Sequence, residues 1–196
     1  MLTYPYLDAS RAEVGILSLL LTVVCVAALY AVGGHDRVPR LGLGLGVLTV
    51  AGLWWPVDTA SPIHLLALGL EAALFLYVTW ALIAHVFRMQ EVTEDTLSGA
   101  ACAYLFMGLA WATIYLLLER LHPGSFHFEG EVANVVWSDL LYFSLTSLTT
   151  TGYGDITPLS HPARSLTSMQ HVLGVLYPAV VLARLVGLYK GRTAGA

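Results

Sequence analysis

Ser138-Asp139-Leu140-Leu141-Tyr142-Phe143-Ser144-Leu145-Thr146-Ser147-Leu148 runs directly into Thr149-Thr150-Thr151-Gly152-Tyr153-Gly154-Asp155, and this junction decides how the chain must fold. Ser138-Asp139 reads as a helix start, because both side chains accept from the free amides of a first turn. Residues 140–148 then make a helix only about 14 Å long, against a hydrocarbon core of about 30 Å. Gly152 and Gly154 end it, and Pro158 and Pro162 break the chain before the next long apolar run. Such runs lie on both sides, at 97–118 and 165–189. Irregular backbone at membrane depth is tolerated only where it lines water or packs against protein. The stretch therefore reads as a re-entrant loop that enters, stops midway and returns.

Working outward, the whole composition is that of a membrane chain. Of 196 residues 57% are apolar and only 11% charged, against roughly 25% charged in an average soluble domain. Three further apolar runs precede the loop, at 14–32, 41–57 and 63–87, so five spanning helices are expected, with no space among them for a separate soluble domain. The run at 41–57 is the weakest, at about 25 Å of rise, though its Gly42-x-x-x-Gly46 permits close helix packing. The first run reads as a retained helix, since residues 1–13 carry one Arg and two acids, unlike the basic front of a signal peptide. A net charge of −4 excludes a strongly basic nucleic-acid binder. Cys25 and Cys102 lie in apolar runs and read as buried free thiols, a bridge being conceivable only if their helices touch. Lys and Arg counts in the short connections put the N-terminus outside and the C-terminus inside a plasma membrane.

Thr150-Thr151-Gly152-Tyr153-Gly154-Asp155 resembles the selectivity filter of the potassium-channel family. Residues 142–149 resemble its pore helix, 164–189 its inner helix, and 97–121 stand where its outer helix belongs. The resemblance divides the chain into three leading helices of unnamed role, 1–89, and a pore module, 90–196. It implies an all-α membrane protein, not an enzyme, that conducts potassium passively as a homotetramer, each chain supplying one filter strand. Potassium ions would then be its only bound cofactor. Filters of this kind replace the water around a dehydrated ion with backbone carbonyls, which requires positive φ at positions where glycine adopts it freely. By resemblance, the carbonyls of Thr150, Thr151, Gly152 and Tyr153 form the stacked ion sites, Thr150 adds its hydroxyl, and the Tyr153 ring braces the strand. The pore helix would turn its negative end toward the central cavity. Two departures matter. Thr151 stands where the family usually has Val or Ile, and Thr146 where some bacterial members carry a carboxylate. Asp155 must then find another partner, and Tyr142 is the candidate donor.

The same offset places a hinge at Gly174 and a bend toward Pro178, with Val175, Pro178 and Leu182 facing the cavity; a rigid helix that uses Gly and Pro only for packing stays open as the alternative. Glu71, inside the run 63–87, is either paired or sensing. Arg184 near the inner end suits a lipid phosphate, an acid such as Glu91 or Glu94, or a snorkelling position. Glu129 and Glu131 either concentrate cations or are simply solvated. No Lys or Arg occurs in 14–32, 41–57 or 63–87, so no voltage sensor is expected. The rivals are a poorly selective cation channel and, from another class, a membrane cytochrome holding haem through His64, His85 or His171; no H-x-x-x-H pair supports the latter.

Overall fold

A computed structural model describes residues 61–91, 93–130 and 135–194, with 21, 23–25, 27, 28 and 44 as isolated positions ahead of them. The expected helices at 14–32 and 41–57, with their Gly42 and Gly46, lie outside the described residues apart from those positions.

Helix α1, Pro62–Arg88, starts where Ser61 accepts from the His64 amide and Pro62 occupies the first turn, a place where no backbone donor is needed. Helix α2, Glu94–Leu121, opens with a reciprocal cap between Thr93 and Thr96, followed by Glu94 and Asp95 at its positive end. Both helices are apolar on all sides, so hydropathy alone does not choose the face that packs. Small residues do: Ala103 and Ala110, seven residues apart on one face, are fully buried in one cluster with Leu74, Phe75, Val78 and Leu82 of α1. The rings of Phe75 and Phe106 close the interface at 6.3 Å.

The short helix α3 covers Trp137–Leu148, and α4 covers His161–Ala194. Helix α4 starts earlier than residue 165, because Ser160 caps the Ala163 amide and Pro162 falls in the first turn, where proline is tolerated. The turn-rich segment after α2 holds something unforeseen, a small ladder. Strand β1, Phe126–Phe128, pairs antiparallel with β2, Ile156–Pro158, in the register Phe126 to Pro158 and Phe128 to Ile156. A second core sits beneath it, where Tyr115, Phe126 and Phe143 meet pairwise with ring centroids 5.3 Å apart.

Segments Pro62–Arg88, Glu94–Leu121 and His161–Leu188 are each long and apolar enough to cross a bilayer. The protein is a helical membrane protein in which the short α3 lies between α2 and α4 in the chain. Cys25 and Cys102 are both free, the first buried and the second exposed.

Candidate functional site

The last turn of α3 governs the backbone that follows. Thr149 and Thr150 amides donate to Leu145 and Ser147, and then the Thr146 carbonyl accepts both Thr151 N at 2.8 Å and Gly152 N at 3.2 Å. The Thr149 hydroxyl bonds Leu145 O at 2.8 Å and meets the Thr151 hydroxyl at 2.9 Å. Beyond this anchor φ is positive at every second residue: 57° at Thr150, 53° at Gly152 and 86° at Gly154. In an ordinary strand successive carbonyls point to opposite sides; alternating the hand of φ turns them toward one side. Glycine does this at no steric penalty, whereas Thr150 is the sole non-glycine with positive φ among the described residues and holds strain of about 1 kcal/mol. Residues 150–154 are all exposed in the isolated chain.

The other end of this segment is fastened to β1. Glu129 N donates to Asp155 O at 2.8 Å, and the β1–β2 ladder follows immediately. Tyr142 and Asp155 are brought together: the carboxylate accepts from the phenol, and this hydrogen bond raises the phenol above its ordinary range. The Tyr142 and Tyr153 rings stack, 6.3 Å apart and 3° from parallel. The ladder itself hangs on Glu119, which sequence reading did not single out. Its carboxylate accepts from Gly124 N at 2.7 Å and Phe126 N at 3.1 Å. An acid in the last turn of a helix, just before a Pro-Gly turn, was the available signal.

Behind the segment, three helices share buried polar bonds. Gln170 of α4 donates from Nε2 to Ser144 O at 3.0 Å and Ser144 Oγ at 2.8 Å. Its Oε1 accepts from Tyr115 of α2 at 2.6 Å, and Ser144 Oγ donates onward to Gly108 O at 2.7 Å. Tyr104 of α2 donates to Leu148 O, the last carbonyl of α3, at 2.9 Å. Close approach is left possible by glycine: a Cβ at 174 would collide with the Leu148 carbonyl, and one at 108 would stand 2.7 Å from Leu145.

Along α4 the remaining candidates separate. Gly174 is buried against α3, while Val175, Pro178 and Leu182 are exposed. Pro178 and Leu182 also border an apolar groove of about 460 Å³ between α2 and α4, floored by Ala100, Tyr104 and Val181. The helix assignment passes through Pro178 without interruption. Among the described residues Arg184 pairs with backbone carbonyls, and neither Glu91 nor Glu94 is its partner. Its guanidinium donates to Phe87 O at 2.6 Å and Met89 O at 2.9 Å and lies over the Phe87 ring, because the end of α1 presents carbonyls without helical partners. Glu71 is buried in α1, and no described Lys or Arg pairs with it. Thr146 turns its hydroxyl back to Phe143 O. Glu129 is exposed, and Glu131 lies outside the described residues. His64 and His85 are half-buried on α1 and His171 is exposed on α4; no three His, Cys, Asp or Glu among the described residues are grouped to hold a metal.

A family model described as "Ion channel" matches residues 100–190, which is α2 through most of α4. The potassium channel protein kcv of Paramecium bursaria Chlorella virus 1 is 30% identical over 73 residues, covering 35% of this chain and 77% of the viral protein. Protein LctB of Bacillus caldotenax is 30% identical over 124 residues, covering 61% of this chain and 92% of that protein.

Proposed function

Because the chain belongs to the ion-channel family, we propose that it is a potassium-selective channel in which four copies each contribute the strand Thr150, Thr151, Gly152, Tyr153 and Gly154 to one filter. The observation that carries this reading is the alternation of φ at Thr150, Gly152 and Gly154, which lets successive carbonyls face one axis. The likeness to the viral potassium channel protein supports potassium as the ion.

A hydrated potassium ion entering from the cavity meets the negative end of α3 and then the hydroxyl and carbonyl of Thr150. Carbonyls of Thr150, Thr151, Gly152 and Tyr153 take the place of its water, and neighbouring ions repel one another onward. Discrimination against sodium requires that these carbonyls hold their spacing. Three anchors serve that end: the Thr146 carbonyl below, Glu129 above, and the Tyr142 and Tyr153 stack with Asp155 at the side.

Assembly is supported by α4. Its buried positions Ala163, Thr167, Gln170, Gly174 and Val181 form a single stripe, leaving Met169, Val172, Val175, Leu176, Val180 and Leu182 for neighbouring copies, lipid or the cavity. In this reading the pore module is 90–196, residues 1–89 are three leading helices, and the five spans place the N-terminus outside and the C-terminus inside the plasma membrane. Liposomes loaded with potassium and carrying the protein should accumulate tracer rubidium, and barium should stop the uptake. Tyr153→Asp should keep insertion and lose discrimination. Uptake of sodium as fast as rubidium by the unmodified protein would overturn the reading.

A further inference from the structure

We propose that Gln170 is a positioning residue for the filter, setting ion discrimination through Ser144 without touching the ion. The proposal rests on the reading of residues 150–154 as that filter. Gln170 is fully buried in a membrane helix, where an amide is tolerated only with its hydrogen bonds made. They are made. Nε2 holds both oxygens of Ser144, and Oε1 receives the Tyr115 hydroxyl. Ser144 Oγ then donates to Gly108 O, so the bonds run from α2 through α4 and α3 and back to α2. A Leu at 170 would fill the same space but leave the buried Tyr115 hydroxyl without its acceptor and Ser144 without its donor. What the amide adds is direction: it fixes α3 along its own axis.

That axial position reaches the filter by a short route. Two residues past Ser144, the Thr146 carbonyl carries the amides of Thr151 and Gly152. A slip of α3 by a few tenths of an ångström is passed to those two peptides, and so to the spacing of the carbonyls beside them. Hydrogen bonds in a dry interior stiffen one another, so losing one member loosens the set.

The test is the potassium-to-sodium permeability ratio of reconstituted tetramers. Gln170→Leu should lower the ratio about tenfold while the tetramer still forms. Ser144→Ala should lower it in the same direction, and the double variant should fall no further than Gln170→Leu alone, as expected of residues acting in one circuit. Gly187→Ala, with nothing within 4 Å of the added Cβ, should leave it unchanged. Tyr115→Phe removes a single bond at constant shape, so it carries the test should Gln170→Leu not assemble. An unchanged ratio in tetramers of either variant overturns the proposal. Should the unmodified channel itself not discriminate, the filter reading fails instead, and the two failures are thus distinct.

Discussion

The two halves of α4 are held in different ways. From Ala163 to Gly174 the helix is fastened by directional contacts at short range: Gln170 to Ser144 and Tyr115, and the backbone of Gly174 against the Leu148 carbonyl. Past Pro178 it is held by the cluster of Val86, Ala100 and Val181 and by one long side chain, Arg184, reaching the end of α1. Beside this half lies the apolar groove between α2 and α4. Backbone-to-backbone contact has no slack, whereas an arginine on a flexible stem can follow a moving partner. The N-terminal half is built to keep a geometry, and the C-terminal half to tolerate a change of one.

The largest expected effect comes from breaking the stiff half. Gly174→Val places a branched Cβ against the Leu148 carbonyl, and overpacking of this kind costs about 3 kcal/mol or more when backbone must move. Thermal unfolding of the detergent-solubilised protein should fall sharply and rubidium flux should vanish. Gly187→Ala, with nothing within 4 Å of the added Cβ, should change neither. Equal behaviour of the two variants would erase the contrast.

Next in size is Glu119→Ala. It strips acceptors from the Gly124 and Phe126 amides and should cost about 1–3 kcal/mol, read as a lower unfolding temperature. Selectivity should follow only partly, because the Thr146 anchor survives. Arg184→Ala sharpens the comparison from the C-terminal half of α4. It should alter open probability a few-fold in single-channel records and leave the permeability ratio untouched, since Arg184 has no bond to α3. A changed ratio would mean that the C-terminal half also sets selectivity.

The smallest effect concerns pH. The Tyr142 phenol is raised by its bond to Asp155, so the stabilisation it brings is fully present below the ordinary tyrosine value of about 10 and is lost as pH climbs through the raised one. Between pH 6 and 9 the phenol should make no contribution to any pH dependence of the current, and Tyr142→Phe should chiefly change how long conduction persists. A titration of current near neutrality that Tyr142→Phe abolishes would contradict this.

The short helix and the irregular backbone after it were legible because residues 140–148 are too few to span and two glycines follow them. The glycine φ values at 152 and 154 follow from the same argument, but the positive φ of Thr150 carries no residue signature. Gln170 stayed hidden because intramembrane charge draws attention and an uncharged amide does not. Arg184 was visible, but its partners are backbone carbonyls, which no sequence marks. The β1–β2 ladder has three residues per strand, too few for an alternating pattern to emerge. Residue 165 was a late start for α4 because proline was read as a breaker where it is a first-turn residue.

The most direct measurement of the central claim is the reversal potential of the purified, reconstituted protein under bi-ionic conditions in a planar bilayer. With potassium on one side and sodium on the other it should lie far toward the potassium equilibrium potential, and replacing potassium by rubidium should move it little. A reversal potential near zero with potassium against sodium would show that Thr150 to Gly154 do not form a selective filter.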